Sequence, residues 1–181
     1  MARLLRRQGY AGTGLQDVVA EAGAPIGSLY FHFPGGKAAL AAEAVTSAGG
    51  ELGERLEQLL AAVNAADALE AIATAMGEDL KRSRWRNGCP IATTALERAA
   101  DDQTIRRAAD GVFRGWELLF SRRLERDGFT PQQAARLGVL VISSLEGALI
   151  LARSQCSTAP LEEAARGLAE LMRRAGGRSR R

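Results

Sequence analysis

Residues 9–37 read GYAGTGLQDVVAEAGAPIGSLYFHFPGGK, and the register of this stretch decides the fold. Thr13 followed by Gln16 has the spacing of a capping box, in which two side chains satisfy orphan N–H groups of a first turn, so a helix is expected to start at Thr13. Leu15, Val18, Val19 and Ala22 then share one helical face. Gly23 permits the left-handed backbone that stops a helix. Pro25 suits the first turn of the next one, where its missing N–H would have had no partner. Ile26 to Phe33 then forms a second helix of about two turns. Two short helices meeting at a glycine outline a helix-turn-helix, whose second helix enters a DNA major groove by its N-terminal end.

That geometry assigns roles to individual side chains. Ile26, Gly27 and Ser28 lie at the leading end of the second helix, where small and apolar residues can approach thymine methyls and a hydroxyl can donate to a base or phosphate. Tyr30 and His32 project toward the backbone side, and their polar tips suit phosphate oxygens. Lys37, at the start of the following helix, combines charge with unpaired N–H groups. Gln16 is placed to add a base or backbone contact. The competing reading is a plain helical hairpin with Tyr30, Phe31 and Phe33 as core; Leu29 and Phe33 are expected inside on either view. His32 is the only histidine, and no Ser-His-Asp or Cys-His arrangement can be assembled around it, so no catalytic residue is assigned.

The pattern GY…T…DVVAEAGAPIGSLYFHFPGGKAAL, covering roughly residues 2–45, resembles the DNA-binding signature of TetR-family transcriptional repressors. Pro34-Gly35-Gly36 after His32-Phe33, and the later Gly88-Cys89-Pro90-Ile91 with Leu96-Glu97, resemble the LmrA-like branch of that family. The resemblance implies base contacts on Pro25 to Ser28 and phosphate contacts on Tyr30, His32 and Lys37. It also implies a C-terminal helical body that dimerises and binds a small molecule. Met1 to Gln8, with Leu4 and Leu5, reads as a first helix ending at Gly9, shorter than is usual in the family.

The totals agree with an intracellular helical protein. The chain has 181 residues, enough for one or two domains with a real core, and no alternating Val/Ile/Thr run predicts a sheet. The net charge of +3 is carried by five arginines, Arg173, Arg174, Arg178, Arg180 and Arg181; without them the rest of the chain stands at −2. Basicity is thus a C-terminal tail, expected to be solvated, rather than a broad nucleic-acid surface. Cys89 and Cys156 are far apart with no CxxC, which predicts free thiols and no zinc or other metal site. No signal peptide opens the sequence. The longest apolar stretch, Leu137–Ala152, is interrupted by Glu146 and falls short of the roughly 20 residues of a membrane span. A cytoplasmic location without membrane association is expected.

The remaining helices follow from caps and stripes. Gly35-Gly36-Lys37 opens the next helix, which carries Leu40, Ala44, Ala48, Leu52, Leu56, Leu59 and Val63, with a kink or break expected at Gly49-Gly50. Asp67 with Glu70 has capping-box spacing and opens a helix to Arg82. Ser83 to Gly88 is a loop holding Trp85. Pro90 starts a short helix through Glu97, and Asp101-Asp102 caps another bearing Ile105, Ala109, Val112, Trp116 and Phe120. Thr130-Pro131-Gln132-Gln133 is a capping box with proline at the first position, opening a nearly all-apolar helix, Ala134–Arg153. The last helix spaces Leu161, Ala165, Leu168, Met172 and Ala175 by fours and threes.

These two final helices have apolar faces that one chain leaves unmatched, which suggests a four-helix bundle made by two copies. Met76, Trp85, Cys89, Phe113, Trp116, Phe120, Ser143 and Glu146 fall on segments that, by the resemblance, surround a ligand pocket of apolar walls and a few polar groups. The fold expected is all-α: a helix-turn-helix domain at 1–45, a ligand-binding and dimerisation bundle at 46–175 and a basic tail at 176–181. The function expected is a ligand-responsive repressor. It would act as a homodimer on palindromic operator DNA, without a cofactor, and be released by a small apolar or aromatic effector. A sequestering helical protein without operator affinity is the alternative of another class; an enzyme is a third, with no constellation behind it.

Overall fold

The computed structural model describes residues 1–176, so the expected basic tail beyond Gly176 lies outside the described residues. These hold nine α-helices and no strand: α1 Ala2–Gln8, α2 Leu15–Ala22, α3 Ile26–His32, α4 Gly36–Ala62, α5 Ala65–Arg82, α6 Pro90–Arg98, α7 Gln103–Arg126, α8 Pro131–Gln155 and α9 Ala159–Gly176. The all-α expectation is met. Two compact units form, one from Met1–Glu51 with Gly88–Val112, the other from Leu52–Asn87 with Phe113 onward. This division by compactness differs from a cut at residue 45, because α6 packs with α1.

In the first unit the α1–α2 corner is a set of satisfied polar groups around an apolar centre. Leu4 and Leu5 of α1, Val18 of α2, Leu29 of α3, Ala41 and Val45 of α4, Ile91 of α6 and Ile105 and Ala109 of α7 are buried. Gly9 ends α1 at φ 74, a left-handed value. The Thr13 hydroxyl, fully buried, donates to Gly9 O at 2.6 Å. Thr13 therefore does not cap α2 with Gln16 as its spacing suggested. Gly14 occupies the N-cap position, and Asp17 Oδ2 accepts the Gly14 N–H at 3.0 Å. A hydroxyl buried among apolar side chains must find an acceptor, and the Gly9 carbonyl is the one the corner presents. Asp102 Oδ1 takes the N–H groups of Thr104 and Ile105 at 2.9 and 3.0 Å, the cap expected for α7.

The break expected at Gly49-Gly50 does not occur: α4 runs unbroken for 27 residues. Gly49 is buried against the Val112 side chain, which occupies the space a Cβ would need. The glycine serves close approach of two helices, not a kink.

In the second unit, α9 packs on α5 and α8. Thr130 and Gln133 make their capping box in both directions, at 3.1 and 3.3 Å. For α5 the cap is Asn64, whose Oδ1 accepts the Asp67 N–H at 2.9 Å. Asp67 and Glu70, expected to be a capping box, instead hold Arg173 of α9, at 2.8 and 3.0 Å. These charge-assisted bonds hold the Asp67 carboxyl below the ordinary carboxylate range, with Asn64 contributing, and push Arg173 further up. The inner face of α8 (Ala134, Gly138, Val141, Ile142, Leu145, Ala148, Leu149, Ala152) is buried. Leu161, Ala165, Ala169 and Met172 are the buried stripe of α9. Ala169 thus takes the place the sequence stripe gave to Leu168, which is half-buried. By length and composition α8, at 25 residues, is long and apolar enough to cross a membrane. Length therefore does not exclude a span, contrary to the sequence argument.

Candidate DNA interface and the helical body

The two helices of the motif are locked at their turn. Gly23 has φ 64 and ψ 26; its N–H donates to Ala20 O at 3.3 Å, and the Ala24 N–H donates to Val19 O at 3.1 Å, closing α2 as a left-handed glycine cap. Pro25 stands at the N-cap of α3 rather than within its first turn. Val18 and Leu29 are the buried residues of α2 and α3, which pack together.

With Leu29 turned inward, most of α3 faces out. Pro25, Gly27, Tyr30 and His32 are exposed, and Ile26 and Ser28 are half-buried. Gln16 is exposed on α2. Phe33, expected in the core, is only half-buried at the C-cap. Phe31 is 82% exposed and meets the His32 ring edge-on at 5.1 Å. Its exposure is set by its place on α3. Leu29 and Phe33 are one helical turn apart, so a residue midway between them lies on the opposite face.

Both carboxylates of α2 have partners. Glu21 pairs with Arg3 at 3.0 Å, and Asp17 is engaged at the α2 cap. Lys37 lies in the first turn of α4, half-buried, with Nζ 4.3 Å from the centroid of the Tyr10 ring. The Arg98 guanidinium lies 5.4 Å from the same centroid. Burial pushes the Tyr10 hydroxyl above the ordinary tyrosine value; Arg98 opposes this shift and Asp102 adds to it. The Tyr10 and Ala11 N–H groups both donate to the Glu97 carboxylate, at 2.9 and 2.6 Å. Arg6 and Gly88 exchange two further bonds: Gly88 N–H to Arg6 O at 2.8 Å, and Arg6 Nε to Gly88 O at 3.2 Å. None of these contacts with α6 and its leading loop was read from the sequence.

The residues expected to bind a ligand are distributed less evenly. Trp116 and Phe120 are buried, and Phe113 meets the Trp116 ring edge-on at 5.8 Å. Met76 and Glu146 are half-buried on α5 and α8. Trp85 is half-buried in the turn after α5, where it and Arg84 take left-handed φ values of 62 and 55, a conformation costly for large side chains. Ser143 is exposed on α8, one turn before Glu146. Cys89 belongs to the first unit, where it is the N-cap of α6, with Sγ accepting from the Ala92 N–H at 3.5 Å. An open groove of about 570 Å³ lies where the α7–α8 turn meets α9, lined by Phe129, Gln133, Glu170, Leu171 and Arg174 among others, and none of the expected ligand residues borders it. The outer face of α8 carries Val139, Leu140, Ile150 and Leu151, each between 44% and 55% exposed, with Leu171 of α9 at 50%.

Comparison with known proteins accords with this geometry. Residues 2–44 match the model of the bacterial regulatory proteins of the tetR family, and residues 65–167 match that of the C-terminal domain of LmrA/YxaF-like transcriptional regulators. The HTH-type transcriptional regulator YxaF of Bacillus subtilis is 34% identical over 176 residues, covering 97% of this chain and 92% of that protein. An HTH-type transcriptional regulator of Mycobacterium tuberculosis is 38% identical over 182 residues, covering 94% and 89%. Among solved structures, a TetR transcriptional regulator from Chloroflexus aurantiacus superposes with a TM-score of 0.72 at 31% identity, covering 93% and 88%. The helix-turn-helix, the α-helical body and these matches to regulators rather than enzymes together place the chain in the TetR family of DNA-binding transcriptional regulators, in its LmrA/YxaF-like branch.

Proposed function

We propose that the protein is a cytoplasmic, ligand-responsive repressor acting as a homodimer on a palindromic operator. The observation that carries this reading is the sidedness of α3: Leu29 is buried while Gly27, Tyr30, Phe31 and His32 stand exposed beside Lys37. Residues 1–45 are the reading head. Pro25, Ile26, Gly27 and Ser28 approach base edges, Gln16 adds a base or backbone contact, and Tyr30, His32 and Lys37 take phosphates. Two heads are needed for two half-sites, and the apolar outer face of α8 with Leu171 is the surface a second copy would cover.

The effector reading rests on the second unit. Phe113, Trp116 and Phe120 supply apolar and aromatic surface there, and Met76 and Glu146 are half-buried on helices of the same unit. A small apolar or aromatic compound bound among these side chains would be released from water at about 25 cal/mol per Å² of apolar surface. It represses or releases only through differential affinity for two conformations of the dimer, one whose recognition helices match adjacent major grooves and one whose helices do not.

Selection of bound sequences from random duplex DNA tests the reading. Enrichment of an inverted repeat, lost when Gly27→Glu is introduced, is expected. Competition by a panel of aromatic compounds then tests responsiveness. Failure to enrich any symmetric sequence refutes the operator reading.

A further inference from the structure

We propose that Tyr10 is a positioning residue for DNA binding: its ring is the shelf that holds Lys37 as a phosphate anchor, and the last turn of α6 sets that shelf. The inference rests on the reading of Lys37 as a phosphate contact and adds the residues that make it one. A lysine stem has four rotatable carbons and a strongly hydrated head, so left alone it samples many positions. Here Nζ lies 4.3 Å from the Tyr10 centroid, within the distance at which a cation is drawn to the electron-rich face of a ring. The backbone that carries the ring is held in turn. The backbone N–H groups of Tyr10 and Ala11 donate to the two oxygens of Glu97, at 2.9 and 2.6 Å, and the Arg98 guanidinium lies 5.4 Å from the ring centroid. Arg98 Nε is buried without a hydrogen-bond partner and Nη1 lies 3.9 Å from Asp101 Oδ2, so the guanidinium is held by that carboxylate as well as by the ring. Gly9 completes the fit: it is buried at φ 74, and Glu97 Oε1 occupies the space a side chain there would need.

The arrangement gives α6 a hold on DNA affinity without touching DNA. Any displacement of Glu97 and Arg98 moves the ring, and the ring moves the ammonium. A merely structural tyrosine would require only that its volume be filled.

The test compares the full-length protein with Tyr10→Phe, Tyr10→Leu, Lys37→Ala and the Tyr10→Leu/Lys37→Ala double variant. The probe is a fluorescein-labelled mixed-sequence duplex several helical turns long, titrated at a series of salt concentrations. Lys37→Ala should lower the salt slope by about 0.9 for each phosphate that the ammonium neutralises. Tyr10→Leu should move the slope toward that value and weaken low-salt binding about two- to five-fold. Tyr10→Phe, which keeps the ring face, should match the parent, and the double variant should match Lys37→Ala. In the unmutated protein the Lys37 ε-methylene protons should be shifted upfield by the ring in NMR spectra. A folded Tyr10→Leu variant with the parent's slope, or a Lys37 ε-methylene at its random-coil position, overturns the inference while leaving Lys37 a phosphate contact. An unchanged slope in Lys37→Ala overturns the phosphate reading itself. If Tyr10→Leu does not fold, Glu97→Gln decides, since it leaves one of the two N–H groups without an acceptor: a lower slope with a reduced ring shift supports the shelf, and both unchanged refute it.

Discussion

Replacing Asp127 by alanine should unfasten the corner between α4 and α5. Asp127 Oδ2 accepts the Ala65 N–H at 2.7 Å, and Oδ1 accepts Arg123 Nε and Nη2 at 3.0 and 2.7 Å. Arg123 Nη1 reaches on to Leu60 O at 3.1 Å. One carboxylate thus serves an orphan N–H in the first turn of α5 and, through the guanidinium, an orphan carbonyl in the last turn of α4. Losing the bond between a charged acceptor and the Ala65 N–H costs about 1.5–3 kcal/mol. Stranding the cation of a fully buried pair would make the total about 3–5 kcal/mol. The two side chains are 20% and 17% exposed, so water reaches the guanidinium and lowers that figure. The expected loss is about 2–4 kcal/mol. At about 2–4 °C per kcal/mol for a chain of this size, the melting midpoint should fall by about 4–16 °C. Urea unfolding and thermal melts of Asp127→Ala, Arg123→Ala and the double variant measure this, with a coupling of at least about 1 kcal/mol expected from the cycle. A single variant within about 0.5 kcal/mol of the parent, or an additive cycle, would refute the reasoning.

Three further outcomes are expected. Ile150→Glu places a charge on the exposed apolar face of α8 and should give monomers by light scattering at micromolar concentration; an unmutated protein that is already monodisperse as a monomer would end the dimer proposal. Gly49→Ala should destabilise, reversing the gain of about 1 kcal/mol that alanine normally brings to a helix interior, because Val112 fills the space; Val112→Ala in the same chain should restore the gain, and stabilisation by the single change would contradict the packing. Arg173→Ala removes the group that depresses the Asp67 pKa, and a depressed folded-state value contributes stability that is present above the unfolded value and lost as pH falls through the folded one. Parent and variant should therefore differ near neutrality and converge in acid; a constant offset down through the carboxylate range would show that the ion pair is not the cause.

The elements that the sequence alone determined are those whose physics is contained within a few residues. Thr130 and Gln133 can cap each other wherever their helix docks, and Gly23 can end α2 whatever lies beyond it. The burial of Leu29 on α3 is of the same kind. Local spacing misled where a group outside the expected pair offered a better partner. Thr13 bonds back to Gly9 inside the corner, and Asp67 and Glu70 pair with Arg173 more than a hundred positions away. Gly49-Gly50 reads as a break by propensity, yet the side chain of Val112 makes it a place of close packing. The membership of α6 in the first unit and the stack of Lys37 on Tyr10 were decided by tertiary structure alone. Glu97 meets Tyr10 across 87 positions of sequence. Periodicity tells which face of a helix must leave water, because that cost is paid by the helix itself. It carries no information about which other face will cover it, because that choice depends on how all the faces fit together at once.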